Sequence, residues 1–485
     1  MKEYESVISM VELRLDLLRP AERDPREIAR WVHRLPATVP SILTIRRSSD
    51  LGRYEGDEAQ RLILLEQILK ELTAAAPSRW YVDIELDRAG DPQWDVLARF
   101  VRAEGGTVIR SHHVLRGSTP ELSVLMARLA GEPREIPKLA VEVTSATAMA
   151  RLVRSAREFH RRMPGRPAVW LGMGEYGMPT RAFPALLGSC WTYSTASGSE
   201  AVAPGQIPPE ELQEIYRPDE VTAGAAVFGV LGSPVGHSRS PGLHNRWFQE
   251  RDADAIYLPF RLDHFGEFPL LAETFDLRGV SVTVPHKEAA LAFALQDGQG
   301  GATEEAVSVG AANTLVRDAR GCWRAHNTDV KGFLAPLEGA RVPSLAGRAV
   351  AVAGSGGAAR AVVAALVGLG AEVHIFNRTR SRAVELARHF GIPAGRTGEL
   401  VELERSERGR WAMVVQTTSV GMHPGTDPLG ELQFAGGELV YDIIYTPRRT
   451  ALLERAAQAG CLVINGSEML LRQAELQRDL FFQTL

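Results

Sequence analysis

Gly354, Gly356 and Ala359 form a G-x-G-x-x-A spacing between an apolar strand pattern, RAVAVAG, and a helical pattern, AARAVVAALVGLG. Small residues at such a junction let backbone amides at a helix start approach a pyrophosphate, so Gly354, Ser355, Gly356, Gly357 and Ala358 are candidate cofactor contacts. About twenty residues on, where an acid would accept a ribose 2'-hydroxyl, the chain reads IFNRT and offers Asn377 and Arg378. A cation in place of a carboxylate selects NADP over NAD, with Arg378 and Thr379 on the 2'-phosphate. The alternative is a capping loop with an exposed arginine. A second pattern lies in the first half. Side chains two apart on a strand share a face. That places Glu12, Arg14 and Asp16 together, as it does Thr44 with Arg46, Asp83 with Glu85, and Ser111 with His113. Buried parallel strands should read as continuous Val, Ile and Leu. These charged faces either converge on a polar pocket or turn one side of an open sheet to water. Neighbouring His112 and His113 face opposite ways, so no metal is expected. Ser238 and Ser240, two apart in an extended loop, can meet one small anion, although Ser/Pro loops also occur as plain turns.

The elements that must position these residues follow from periodicity. Seven β-rich runs precede residue 200: VELRLDL (11–17), ILTIRR (42–47), WYVDIEL (80–86), TVIRSHH (107–113), KLAVEV (138–143), AVWLGM (168–173) and SCWTYST (189–195). Helical stretches separate them, which predicts a parallel α/β sheet or a (β/α)8 barrel. After Gln206 a Pro- and acid-rich connector precedes a new apolar strand, AVFGVLG (226–232), and a boundary is placed near residue 222. The predicted division is 1–221, 222–334 and 335–485, the last two being a substrate subdomain and a Rossmann subdomain whose terminal helix returns to its neighbour.

Length and composition agree. At roughly 150 residues per domain, 485 residues make about three folding units. Fractions of 45% hydrophobic and 24% charged residues are those of ordinary globular proteins. With 55 basic and 59 acidic side chains the net charge is -4, so no broad positive field attracts nucleic acid or anionic lipid. Three scattered cysteines, Cys190, Cys322 and Cys461, make neither a disulfide framework nor a closed zinc site and fit a reducing compartment. Glu3 and Glu5 stand where an export signal needs basic and apolar residues. The longest apolar run, 361–371, is well short of the roughly 20 residues that span a bilayer. A cytoplasmic location is expected.

Seven motifs in order give the first half its affinity: VELRLDLL, TIRR with EGDE, VDIEL, SHH with TPEL, PKLAV, GMGEYGMPTR, and GS with APGQ. Residues 5–210 resemble type I 3-dehydroquinate dehydratases, (β/α)8 barrels that form a Schiff base with the substrate ketone. The resemblance assigns the imine to Lys138, the general base to His113 and its orientation to Glu85. A neutral amine attacks the carbonyl, and the iminium acidifies the adjacent carbon so that an imidazole titrating near pH 7 takes its proton. It further implies Arg181 on the substrate carboxylate, with Glu12, Arg14, Arg46 and Gln206 around the hydroxyls. Family members carry another strand before VELRLDLL that residues 1–10 cannot supply, so a barrel lacking its first strand is expected. Val202 replaces a serine usual in the APGQ loop.

Residues 226–483 resemble shikimate dehydrogenases through GVLGSPVGHSRSPGLHN, SVTVPHKEAA, GAANTLV and AHNTDVKG. That resemblance implies Lys287 and Asp329 as a proton relay for a ketone oxygen, where a structural salt bridge is the alternative. It places Ser238, Ser240, Thr283, Asn313, Tyr445 and Gln473 on the substrate, and Ser281 where many members have asparagine. Together the two imply consecutive steps. Dehydration of 3-dehydroquinate gives 3-dehydroshikimate, and NADPH then reduces it to shikimate. The alternatives are a dehydrogenase fused to a weakened barrel, a quinate-preferring enzyme, or a non-catalytic NADPH or shikimate sensor. Oligomeric state is left open.

Overall fold

The computed structural model describes residues 8–485 apart from 37, 75–78, 118, 119, 196–204, 297, 341 and 424. Two compact units are present, Met1–Ala225 with Glu267–Phe275, and Ala226–Gly266 with Asp276–Leu485. The expectation that the first barrel strand is lacking bears on residues 1–7, which with Val202 lie outside the described residues.

Six parallel strands build the first unit's sheet among the described residues: β1 (Val11–Arg14), β2 (Ser41–Thr44), β3 (Trp80–Glu85), β4 (Thr107–Val114), β5 (Ile136–Glu142) and β6 (Val169–Met173). They pair in chain order. Parallel neighbours need long crossovers, which helices supply here. Several of those helices are punctuated by side-chain caps. Asp24, Asp57, Asp91 and Ser145 each accept a backbone N–H of the first turn that follows, worth about 1 kcal/mol apiece. The sheet is curled. In a flat sheet β1 and β5 would stand about 19 Å apart, four spacings of some 4.8 Å, yet Lys138 Nζ on β5 lies 3.9 Å from Glu12 Oε1 on β1. Curling turns the charged faces inward, so the converging-pocket alternative is the correct one.

Two sequence expectations are revised. In VELRLDL the strand stops at Arg14 and Leu15–Leu17 is a 3-10 turn, because Asp16 folds back to accept from Arg14 and from the Arg53 backbone. SCWTYST forms no strand. Its β-propensity finds no ladder partner, and Ser194 makes one isolated bridge to Ile207. Among the described residues β1 and β6 are thus the two edges of an open barrel wall, and the strands do not close into an eight-stranded ring.

The second unit holds two sheets. One contains β7 (Ala226–Gly232), β8 (Ala255–Arg261), β9 (Leu277–Val282), β10 (Thr314–Arg317) and β11 (Trp323–His326) in the order β11-β10-β9-β7-β8. The other is wholly parallel: β12 (Ala349–Ala353), β13 (Glu372–Phe376), β14 (Thr397–Gly398), β15 (Met413–Gln416), β16 (Leu439–Asp442) and β17 (Leu462–Asn465), ordered β14-β13-β12-β15-β16-β17. Strand order reverses beside β12, the point where open α/β sheets receive ligands. The glycine loop sits there. The final helix, Ser467–Phe482, leaves this sheet and packs Phe481 on Phe228 of β7, ring centroids 5.1 Å apart. No helix among the described residues is long and apolar enough to cross a membrane.

Candidate functional site

Glu12, Arg14, Arg46, His113, Lys138, Arg181 and Gln206 line a single cavity at the concave face of the first sheet. Strand alternation explains this: β1, β4 and β5 each send alternate residues inward, and Arg46 follows the end of β2. Lys138 is buried, with Asp83 Oδ2 2.9 Å from its Nζ and the Tyr193 ring centroid 4.3 Å away. Burial alone would lower its pKa. Asp83, then Tyr193 and Glu12, outweigh that and hold the amine above the ordinary lysine range. Lys138 therefore rests as an ammonium ion and becomes a nucleophile only after giving up a proton.

Asp83 is the hub that sequence reasoning missed. It pairs with Arg46 at 2.8 Å, accepts from Ser111, and neutralises Lys138. Burial pushes its carboxyl up, but Arg46 and Lys138 prevail and keep it far below the usual carboxylate range. The signal was available: Asp83 shares a strand face with Glu85. Glu85 itself is not placed to orient His113. Its oxygens accept from Arg46 at 3.1 Å and from Arg61 at 2.8 Å, and Arg61 is a fully buried helix residue stacked 4.5 Å over Trp94. The buried Arg61 guanidinium takes the carboxylate that would have served the imidazole. His113 Nδ1 is buried without a hydrogen-bond partner. Burial, then Arg46 and Lys138, drive its pKa well below 6.5, so the ring is a neutral base.

Arg181 is the cavity's uncompensated cation. Its Nε donates to the Gly172 carbonyl at 2.9 Å, while buried Nη1 has no partner. Burial pushes its pKa down to about 10. A buried guanidinium lacking a counter-ion is a site for an anion. Glu12 accepts from Thr44 Oγ1 at 2.7 Å, Arg14 is tied to Asp16 at 2.8 Å, and Gln206 accepts from Thr195.

In the second unit, Lys287 Nζ lies 2.6 Å from Asp329 Oδ2. Each opens a helix, Lys287–Ala294 and Asp329–Gly339, so short loops fix both. Asn313 Nδ2 donates to Asp329 Oδ1 and Thr328 Oγ1, both at 2.9 Å, and contacts Gln473 Oε1 at 3.2 Å. Asn313, Asp329, Lys287 and Gln473 are thus brought together, with Thr328 as an unforeseen fifth member. Ser281 is drawn into a buried chain: Tyr257 Oη donates to it at 2.6 Å, and it donates to Gln477 Oε1 at 2.7 Å. Gln477 in turn donates to Thr314 Oγ1 at 2.9 Å. Ser238 Oγ accepts from the Ser240 backbone at 3.2 Å, and half-buried Thr283 accepts from the His286 N–H. Tyr445 faces the intervening Arg239, whose guanidinium lies 5.8 Å from its ring centroid.

The residues at the switch point fit a dinucleotide phosphate. The helix Gly357–Gly368 begins with no side-chain cap, leaving its first amides available. Gly354 adopts φ +117°, a left-handed conformation, and a side chain there would collide with Thr417. At Gly356 a side chain would meet nothing within 4 Å, which leaves an open approach to the loop that includes Ser355 and Ala358. Asn377 Nδ2 donates to the Thr379 carbonyl at 3.0 Å and shapes the loop. Arg378 is exposed between them and forms no ion pair with the described residues. Two α/β enzymes share this chain: a barrel-type half with a buried amine, and a dinucleotide-dependent dehydrogenase.

Comparison with known proteins gives both halves their families. Residues 1–222 match type I 3-dehydroquinase, and residues 230–315 match the shikimate dehydrogenase substrate binding domain. A bifunctional 3-dehydroquinate dehydratase/shikimate dehydrogenase of Arabidopsis thaliana is 32% identical over 99% of this chain and 78% of its own length. The NADP(+) shikimate dehydrogenase of Acidiphilium cryptum is 43% identical over 52% of this chain and 88% of its own. A solved shikimate 5-dehydrogenase from Thermus thermophilus, in complex with NADP(H) and shikimate, covers 54% of this chain at 32% identity with a TM-score of 0.44. The chain belongs to the bifunctional 3-dehydroquinate dehydratase/shikimate dehydrogenase family. It is a shikimate-pathway enzyme with a dehydratase half and an NADP-dependent dehydrogenase half.

Proposed function

We propose that Lys138 forms the imine with 3-dehydroquinate and that His113 removes the proton next to it. The supporting observation is the convergence of Lys138, neutral His113 and the unpaired Arg181 Nη1 on one cavity. Arg181 takes the substrate carboxylate, while Glu12, Arg14, Arg46 and Gln206 surround the hydroxyls. The Lys138 amine, once deprotonated, adds to the ketone carbon, and the ketone oxygen leaves as water. The cation stays on Nζ, where Asp83 pairs with the iminium as it did with the ammonium. His113 then takes the proton from the neighbouring carbon and returns it to the β-hydroxyl, which departs as water and restores the neutral imidazole, and a water molecule hydrolyses the imine. The net change is loss of one water.

In the second half NADPH, when bound, supplies a hydride to the ketone carbon of 3-dehydroshikimate. Lys287 donates a proton to the ketone oxygen, and Asp329, 2.6 Å from the ammonium, holds it in place and compensates its charge. Ser238, Ser240 and Tyr445 receive the carboxylate; Thr283, Asn313 and Gln473 bind hydroxyls. Gly354, Ser355, Gly356, Gly357 and Ala358 hold the pyrophosphate, and Asn377, Arg378 and Thr379 the 2'-phosphate. The division of labour is 1–221 for the dehydratase, 222–334 for dehydrogenase substrate binding and 335–485 for NADP. The free thiols Cys190, Cys322 and Cys461 support a reducing, cytoplasmic setting.

A coupled assay from 3-dehydroquinate and NADPH tests the reading. Lys138→Ala should abolish NADPH consumption from dehydroquinate and leave consumption from dehydroshikimate intact. Lys287→Ala should let dehydroshikimate accumulate. Dehydroquinate turnover by Lys138→Ala would refute the imine, and binding of NADP without any turnover would favour a sensor.

A further inference from the structure

The glycines of the nucleotide loop lack side chains for different reasons. Gly354 needs its positive φ, and Gly356 faces open space. Gly357 has no positive φ, yet a Cβ built on it falls 2.9 Å from both Cβ and Cδ of Lys287 and 3.2 Å from its Cγ. Those three lysine atoms are its nearest neighbours, and Cβ atoms essentially never approach closer than 3.0 Å. Relief by the lysine is restricted, because its Cβ is fixed to the backbone of the first residue of the Lys287–Ala294 helix. The stem of the lysine therefore runs along the bare backbone of the loop that starts the Gly357–Gly368 helix.

We propose that Gly357 is a positioning residue for Lys287: its missing side chain lets the nucleotide loop form one wall of the lysine's channel, so the same loop sets the reach of Nζ to Asp329. This rests on the reading of Lys287 as the proton donor. It assigns Gly357 a task separate from phosphate contact. A methyl group there displaces the lysine stem, lengthens the 2.6 Å Lys287–Asp329 contact and leaves the amides of the loop in place.

The test is Gly357→Ala in the full-length protein, with Lys287→Ala and the double variant beside it. Expected for Gly357→Ala are a kcat for NADP-dependent shikimate oxidation reduced at least tenfold at saturating cofactor, a displaced pH profile of kcat, and an NADPH Kd, read by fluorescence, within threefold of wild type. Thermal unfolding supplies a readout independent of activity. The alanine should lower the unfolding midpoint in wild type and lower it less in the Lys287→Ala background, where Cγ and Cδ are gone. An NADPH Kd weakened in step with kcat/KM at unchanged kcat would overturn the proposal, because the glycine would then serve the nucleotide alone. Equal destabilisation in both backgrounds would show that the methyl group meets only the lysine Cβ, which alanine keeps, and would overturn the claim that it displaces the stem. Full kcat in Lys287→Ala would refute the lysine's role and the positioning claim with it, whereas an inactive Lys287→Ala beside a fully active Gly357→Ala would refute the positioning claim only.

Discussion

Asp83 Oδ2 lies 2.9 Å from Lys138 Nζ, reaching from β3 to β5 past the intervening strand that carries Ser111 and His113. The carboxylate sets the resting charge of the amine, since Asp83 is the largest influence opposing burial at Lys138. Asp83→Asn keeps the shape and removes the charge. Lys138 should then titrate lower, and borohydride trapping of substrate on it, read by mass spectrometry, should extend to lower pH than in wild type. Dehydratase kcat should fall about 100-fold, or ~2.7 kcal/mol of transition-state stabilisation, because the iminium loses its counter-ion. Trapping with an unchanged pH dependence would remove Asp83 from the mechanism.

In the proposed role of general base, His113 should set the acid limb of the dehydratase. Burial first, then Arg46 and Lys138, lower its pKa, and Asp83 only partly opposes them. A general base works deprotonated, so activity is retained as pH falls until it passes through that lowered value. The acid inflection of kcat/KM should lie below the usual 6.5. An inflection assigned to His113 by NMR at or above 6.5 would contradict the electrostatics. His113→Ala should cost roughly 10²–10⁴ in kcat.

The strand faces were legible from period-two alternation alone. Glu12 with Arg14, and Ser111 with His113, share a face as read, and alternation needs no knowledge of distant partners; that the face turns inward came from the curl of the sheet. Legibility ended where a contact depended on the rest of the chain. Glu85 could not be separated from Asp83 by alternation, and the choice was made by Arg61, a helical arginine 24 residues away whose full burial no periodicity announces. Cys190–Thr195 carries β-forming residues but lacks a ladder partner, and propensity cannot supply one. The dehydrogenase half was easier to read because its key side chains sit at element ends beside glycine and proline punctuation. The crowding of Gly357 against Lys287 was not readable, since 70 residues of chain separate the two.

Arg181 should separate stability from activity. Its Nη1 is buried without a partner, and burial has already pushed its pKa down to about 10. A cation whose folded pKa is depressed opposes folding below that value, and the penalty lifts as pH rises through it. Arg181→Met removes the penalty but also the bond to the Gly172 carbonyl, for a net gain of about 1 kcal/mol. The unfolding midpoint of the first unit should rise at neutral pH, while KM for 3-dehydroquinate increases ~100-fold or more. A destabilised variant with an unchanged KM would show that the guanidinium is structural.

Arg378 should govern cofactor choice. It is exposed and forms no ion pair with the described residues, so replacing it leaves no partner stranded. A charge-assisted contact to a 2'-phosphate is worth about 1.5–3 kcal/mol. Arg378→Ala should therefore raise KM for NADPH roughly 10- to 150-fold and leave KM for NADH nearly unchanged. Thermal stability should stay within ~0.5 kcal/mol of wild type. Equal losses with both cofactors would place the arginine elsewhere than on the distinguishing phosphate.

Lys287 and Asp329 distinguish a working pair from a structural salt bridge through non-additivity. If the ammonium protonates the forming alkoxide and the carboxylate only holds and balances it, removing either disables the same step. Lys287→Met and Asp329→Asn should each lower kcat of shikimate oxidation by about 10²–10⁴, and the double variant should fall little below the worse single one. Asn313 sharpens the distinction, because its Nδ2 donates to Asp329 Oδ1 at 2.9 Å. Asn313→Ala should reduce kcat less than Asp329→Asn does, and should add nothing once Asp329 is already asparagine, apart from its own effect on substrate KM. A simple salt bridge predicts the reverse pattern: stability losses that track the broken contact, with kcat at saturation preserved in every variant.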